Sequence, residues 1–146
     1  MSTTDDFDQA VTQMREANQR LLAGDPTHYS ASWSHSDDVT IFGGFGSYEK
    51  GWNQVGPRLE WVASRYSGGH DTFELISTGM SGDLAYLIYL QNGEVRVDGQ
   101  EEYSPLALRV TEIFRHEEGI WKLLHRHADP VAGKDRVHNN LSQIDR

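Results

Sequence analysis

The stretch that decides the fold is Leu108–Asp129, LRVTEIFRHEEGIWKLLHRHAD. It reads as two long strands joined by a tight turn at Glu117-Glu118-Gly119, the second strand ending in His125, His127 and Asp129. Side chains alternate between faces along a strand, so those three are expected to project from one face. Apolar and ionisable residues share both strands, which is the composition of a sheet that is part core wall and part cavity wall.

Working outward, strand signal runs from His70 to the end of this hairpin, over about His70–Met80, Leu84–Leu90, Tyr103–His116 and Ile120–Asp129. The connections are Ser81-Gly82-Asp83, a polar loop through Asn92-Gly93 and Asp98-Gly99, and Glu118-Gly119. Before His70 the spacing is helical. Phe7, Ala10, Val11, Met14, Ala17, Leu21 and Leu22 mark a first amphipathic helix that Gly24 stops. Asp25-Pro26 opens a short second helix carrying Tyr29 and Trp33. Val39–Phe42 and the region of Tyr48 read as short strands around a turn at Gly43, Gly44 and Gly46. Trp52, Val55, Leu59, Val62 and Tyr66 mark a third helix, with Pro57 expected in its first turn and Gly68-Gly69 closing it. Helices first and hairpin-linked strands afterwards predict an α+β domain, three N-terminal helices packed on a curved antiparallel sheet. The domain is expected over residues 1–130, with residues 131–146 a polar C-terminal tail that docks on another surface.

At 146 residues the chain suits one domain with a real core. Hydrophobic residues are 37% and charged residues 24%, a globular balance. No cysteine is present, which removes disulfides, thiolate metal sites and a cysteine nucleophile. The acidic N-terminus MSTTDDFDQA is no secretory signal, and no run approaches the roughly 18 apolar residues of a membrane span. A cytoplasmic protein without a membrane partner is expected. The net charge of -9 and the lack of a basic stripe argue against nucleic acid.

Several elements, in order, resemble the SnoaL-like branch of the nuclear-transport-factor-2-like superfamily: Leu21–Asp25 (LLAGD), Ser36–Phe42 (SDDVTIF), Gly46 to Gly51, Gly82–Leu87 (GDLAYL), Arg109–Arg115 (RVTEIFR) and Gly119–Asp129 (GIWKLLHRHAD). The resemblance implies a cone-shaped sheet, the cystatin-like α+β roll, closed by helices around a pocket and commonly paired sheet to sheet in a homodimer. It also implies a choice of roles, since relatives include polyketide cyclases, ketosteroid-isomerase-like enzymes, dehydratases, a kinase association domain and non-catalytic binders. Fold does not settle function in such a family.

Candidate site residues follow from strand alternation. His125, His127 and Asp129 have ligand chemistry for zinc or a non-haem metal, but residues two apart in a strand lie roughly 6.6 Å apart along it, so the third needs a bend to reach. The resemblance also points to a family not generally metal-dependent. No metal or other cofactor is therefore expected, and a hydrogen-bonded cluster with Arg109 and Thr111 is. On the hairpin, Arg109, Thr111, Ile113 and Arg115 oppose Val110, Glu112, Phe114 and His116; the next strand divides as Trp121, Leu123, His125, His127 and Asp129 against Lys122, Leu124, Arg126 and Ala128. Glu112 is then expected among Val110, Phe114 and Leu124 with Arg126 on the same face. In the kinase-association-domain relative, the resemblance places a cavity arginine at the Glu112 position. A carboxyl in such a setting has its charged form disfavoured and makes a poised acid or base. Two readings stand: Glu112 and Arg126 as a catalytic pair in a pocket, with Arg126 or Tyr48 polarising an oxygen, or as an ordinary ion pair at an interface.

Trp33, Phe42, Tyr48, Trp52 and Tyr86 are candidate aromatic walls for a small apolar ligand, with core packing the competing account. Asp37-Asp38 offers carboxylates near the cone mouth or a local cap. Gly43-Gly44-Phe45-Gly46 lacks the spacing of a phosphate loop and reads as a turn. The expected function is a homodimeric pocket protein for a small, largely apolar organic molecule, with cofactor-free isomerisation, cyclisation, dehydration or hydrolysis if it is an enzyme. The alternative is a non-catalytic oligomerisation or ligand-sensing domain.

Overall fold

The structure is a computed structural model that describes residues 3–131. Three helices, α1 (Thr3–Leu22), α2 (Thr27–Ala31) and α3 (Trp52–Arg65), pack on a six-stranded sheet of β1 (Thr40–Phe42), β2 (Glu49–Lys50), β3 (Tyr66–Ser81), β4 (Leu84–Val97), β5 (Ser104–Glu117) and β6 (Ile120–Pro130). The order across the sheet is β2-β1-β6-β5-β4-β3. This is the expected α+β roll, a curved sheet left open and half-wrapped by helices. Of the tail expected from residue 131, all but Val131 lies outside the described residues. No helix among the described residues is long and apolar enough to cross a membrane.

The sheet is mixed at one joint. β1 runs parallel to β6, pairing Thr40 with His125 and Phe42 with His127, whereas every other pairing is antiparallel. Before β1, Trp33 already forms a parallel bridge with Leu123. A strand of three residues carries no pattern that sets its direction; the chain leaving α2 does so, tied to β6 by Ser34 N–H donating to the Leu123 carbonyl at 2.9 Å.

Two boundaries differ from the sequence reading because glycines that look like punctuation lie inside long strands. Gly68 and Gly69 belong to β3, which starts directly after α3. Asn92-Gly93 belongs to β4, which continues to Val97. A Cβ on Gly93 would stand 2.0 Å from the His70 carbonyl oxygen, so this glycine marks a close backbone approach in the ladder. Pro57 lies beyond the first turn of α3, which begins at Trp52 because Trp52 N–H is satisfied by the Ser36 carbonyl.

The core fills the concave side. Phe7 of α1 meets Phe114 of β5 edge to face at 5.1 Å and Trp121 of β6 at 5.3 Å. Met14, Leu22, Val39, Val55, Leu59 and Leu123 are each no more than 1% exposed. The decisive irregularity is in β6. Ile113 pairs with His125 but Phe114 pairs with Leu123, leaving Leu124 as an extra residue. The alternation read from sequence therefore breaks there. Trp121 and Leu123 share the concave side with Arg126 and Ala128, while His125, His127 and Asp129 turn to the outer face.

Truncating Phe114 to alanine should cost about 3–5 kcal/mol, because the aromatic cluster cannot close over the void. Urea denaturation of Phe114→Ala against the parent measures it; a loss below about 1 kcal/mol would contradict this packing.

Candidate functional site

Between the concave sheet and the helices lies a cavity of about 280 Å³. Its walls are apolar: Leu21 and Leu22 from α1, Leu59 and Val62 from α3, Val95 from β4 and Leu108 from β5. Its polar groups are Asn18, Tyr29, Tyr66, Gln91, Ser104 and Arg126, and the Gly43–Phe45 turn closes one side. A wider depression of about 450 Å³ lies outside, where α1 and α2 meet the β5–β6 turn. Asp6, Glu16, Arg20, His28 and Lys122 line it beside Met14, Phe114, Ile120 and Trp121, with charges of both signs and no single convergent polar group.

At the inner end of the cavity stands a buried ion pair. The bulge turns Arg126 inward, and strand alternation turns Glu112 the same way. Arg126 Nη1 donates to Glu112 Oε2 at 3.0 Å and to the Tyr89 hydroxyl at 2.9 Å, and Nη2 donates to Gln91 Oε1 at 2.8 Å. Gln91 Nε2 in turn donates to Asp71 Oδ2 at 2.6 Å, and Asn18 Nδ2 reaches the same oxygen at 2.7 Å. The guanidinium is thus held on two sides by side chains that are themselves held. Arg126 touches the cavity; Glu112, at 0% exposure, does not line it and stands behind the arginine. Phe73 stacks on the Tyr89 ring at 4.5 Å and keeps that phenol in place.

Burial governs the protonation of this end. Desolvation pushes the Glu112 carboxyl above its ordinary value, against the opposing pull of Arg126. Its second oxygen, Oε1, is buried with no hydrogen-bond partner among the described residues. Burial also raises the Tyr29 phenol to about 12 and carries Tyr89 well above its ordinary value, so both remain neutral hydroxyls.

The other residues singled out in the sequence lie elsewhere. Trp33 is a core residue at 1% exposure, and Trp52 stacks on His35 at 3.8 Å. Phe42, Tyr48 and Tyr86 are on the surface, at 40%, 70% and 41% exposure. Phe42 packs edge to face on Tyr48, His125 and His127. Arg109 and Asp129 form a two-pronged ion pair at 2.9 and 2.8 Å on the outer face. His125 Nδ1 shares a hydrogen bond with Thr40 Oγ1 at 2.7 Å, and burial, then neighbouring His127, holds its pKa below the ordinary value. No group of three His, Asp or Glu among the described residues can share a metal ion. Asp38 is occupied by Arg115, with Nη1 donating to Oδ2 at 2.7 Å; that hydrogen bond, then one from Ser36, holds its carboxyl far below the usual range.

Of the residues proposed for a site, then, Arg126 lines the cavity and Glu112 buttresses it. The sequence reading gave no site role to Asn18, Tyr29, Tyr66, Gln91 or Ser104, and it placed Tyr66 in the third helix, whereas it opens β3. Gln91 had a usable signal: it continues the Leu87, Tyr89 alternation, so a polar side chain stands on the core face of β4.

This geometry defines a nuclear-transport-factor-2-like roll with an arginine-ended cavity. A family model described as a SnoaL-like domain matches residues 9–132, and the chain belongs to that family. Comparison with curated proteins gave no match. Among solved structures, a protein from Streptomyces avermitilis named as a dehydratase of the NTF2-like family superposes with a TM-score of 0.75 at 20% identity, over 88% of this chain and 96% of that one. A ketosteroid isomerase-like protein from Erwinia carotovora atroseptica gives 0.74 at 16% identity, over 88% and 95%. A calcium/calmodulin-dependent protein kinase type II association domain from Thiobacillus denitrificans gives 0.69 at 15%, over 86% and 94%. Likeness at these identities is a likeness of fold.

Because the Glu112 pKa is raised on folding, the folded state binds the extra proton. That contribution to stability is complete below the ordinary value of 4.5 and is lost as pH rises through the raised one. Relative to Glu112→Gln, the parent should therefore lose stability as pH climbs from about 4 towards 8. Urea titrations across that range check the sign, and a parent that gains on the variant would show a carboxylate stabilised by Arg126 instead.

Proposed function

We propose that this protein binds a small, largely apolar organic molecule in the cavity under α1 and α3, with Arg126 holding its polar end. One observation carries the reading: a fixed guanidinium, fastened by Glu112, Tyr89 and Gln91, sits at the end of an otherwise apolar recess. An arginine so placed costs folding energy, and a role in recognition is one reason to retain it. A ligand in place gains the apolar walls for its body and a preorganised donor for an oxygen.

Binding is favoured over acid/base turnover by the identity of the wall. Its titratable groups are Arg126, Tyr29 and Tyr66, none of which is a base near neutral pH. Glu112 can exchange a proton with a ligand only if Arg126 moves, so its part is to position the arginine. An isomerase or dehydratase reading, in keeping with the names of two structural neighbours, would have Arg126 polarise a carbonyl and solvent deliver the proton. Val62→Trp, which fills the recess from the half-buried side of α3, separates a cavity ligand from a surface one. Compounds found by thermal-shift screening should lose at least tenfold in affinity in that variant; unchanged affinity would place them elsewhere.

The outer face supports a homodimer. Phe42, Tyr48, Leu84 and Tyr86 expose apolar surface on the side of the sheet that no helix covers, and Arg109–Asp129 rims it. A second copy meeting this face would bury those groups symmetrically. Sedimentation should show a dimer at micromolar concentration that Tyr86→Glu dissociates; a monomeric parent would end this proposal.

A further inference from the structure

The chain carries a net charge of -9, yet Arg126 is the one ionised side chain among the residues lining its cavity. A guanidinium has five N–H groups. Glu112, Tyr89 and Gln91 take three of those on Arg126, which leaves Nε–H and one Nη2–H. The cavity adds hydroxyls from Tyr29 and Tyr66, whose phenols burial keeps protonated. Gln91 is spent at both ends, on Arg126 and Asp71. The polar end is therefore rich in donors and positive, which selects a ligand that accepts hydrogen bonds and carries negative charge.

Size narrows the class. A cavity of about 150 Å³ holds benzene, so 280 Å³ takes roughly ten to twelve non-hydrogen atoms. Walls of leucine and valine leave no partner for a second charge.

The charge balance then makes a demand on Glu112. With Glu112 ionised, Arg126 is already neutralised; a second carboxylate on the same guanidinium would leave a net negative charge in a buried site. Two carboxylates so close do not both stay ionised. Glu112 Oε2 remains on Arg126, and the partnerless Oε1 is the atom free to take a proton, since an uncharged hydroxyl costs less to bury than a share of a carboxylate charge. The groups facing Glu112 allow this. Arg126 comes from β6, the neutral phenols Tyr89 and Tyr29 from β4 and α2, and Asp71 of β3 is reached only through Gln91.

Resting on the cavity assignment above, we propose that the ligand is a monocarboxylate with a compact apolar body, that its carboxylate docks on the open edge of Arg126, and that Glu112 takes one proton from solvent as it binds. The pair is then a proton-linked anion receptor. Affinity falls as pH rises towards and past neutrality, because the proton must be won from an increasingly dilute supply.

Isothermal titration with phenylpropionate, octanoate, phenylpropionamide and phenylpropylamine tests each part. The acids should bind at least tenfold more tightly than the amide, and the amine should not bind. Titrations across the neutral range in phosphate and in Tris, whose ionisation heats differ, should report net proton uptake when the acids bind. Glu112→Gln should fold, take up no proton and bind the acids about tenfold more tightly, since it removes the competing negative charge. A purely structural Glu112 would give weaker binding in that variant. Acid binding without proton uptake, or weakened by Glu112→Gln, overturns the linkage. An amide that binds as well as the acid, and is lost in Val62→Trp, overturns the carboxylate class while leaving the cavity reading intact. Failure of acids, amide and amine alike, or binding that survives Val62→Trp, overturns both.

Discussion

One added residue in β6 controls what the concave face presents. Leu124 has no partner across the ladder, so the strand rotates between Leu123 and His125. Without that rotation, the side that carries Trp121 and Leu123 into the core would continue into His125, His127 and Asp129, and Arg126 would point to solvent. The bulge lets a single strand close the aromatic core at one end and supply the guanidinium of the cavity at the other. It also places two histidines and an aspartate on the outer face, where Arg109, Thr40 and Phe42 engage them. Bulges are common where a sheet must re-aim a side chain.

The buried pair that results is poor as a source of stability. Taking a carboxylate and a guanidinium out of water costs several kcal/mol per ion, and one salt bridge with a few hydrogen bonds roughly offsets it. Glu112 is left with an oxygen that nothing in the described residues satisfies. Hydrophobic residues of similar volume would pack the same space at no electrostatic cost. What the pair provides is a fixed, donor-rich end to an apolar recess, with Tyr89 and Gln91 of β4, Asp71 of β3 and Asn18 of α1 bracing it. Truncating either partner would strand the other, so the two must be read together.

The two faces of the sheet divide the labour. The concave face carries the cavity and the core; the outer face carries exposed aromatics and ion pairs. That division explains why so many ionisable residues fall in β5 and β6 without forming one site. Arg115, for example, is committed to Asp38 on the loop before β1 and to Glu117 at the end of its own strand, a strut between the helical and sheet layers.

Local pattern was enough for much of this. Helical spacing from Phe7 to Leu22 and through Trp52, Val55, Leu59 and Val62, and alternation through Val110, Glu112 and Phe114, are properties of neighbouring residues, and the folded chain turns those positions to the core as the spacing requires. Glu112 on the core face was legible for the same reason; Arg126 stands beside it as expected, but the bulge and not alternation puts it there. Four features lay beyond it. The bulge at Leu124 depends on how β6 meets β5, and the parallel pairing of β1 depends on where α2 releases the chain. Gly68, Gly69 and Gly93 read as breaks but are strand positions, Gly69 and Gly93 where another backbone passes closely and Gly68 where the Arg96 guanidinium lies against the strand. The cavity itself joins Asn18, Tyr29, Leu59, Gln91 and Arg126, which are distant in sequence and meet only when the helices fold across the sheet. Periodicity fixes which face a residue takes within its element; only the packing of one element on another decides what that face encloses.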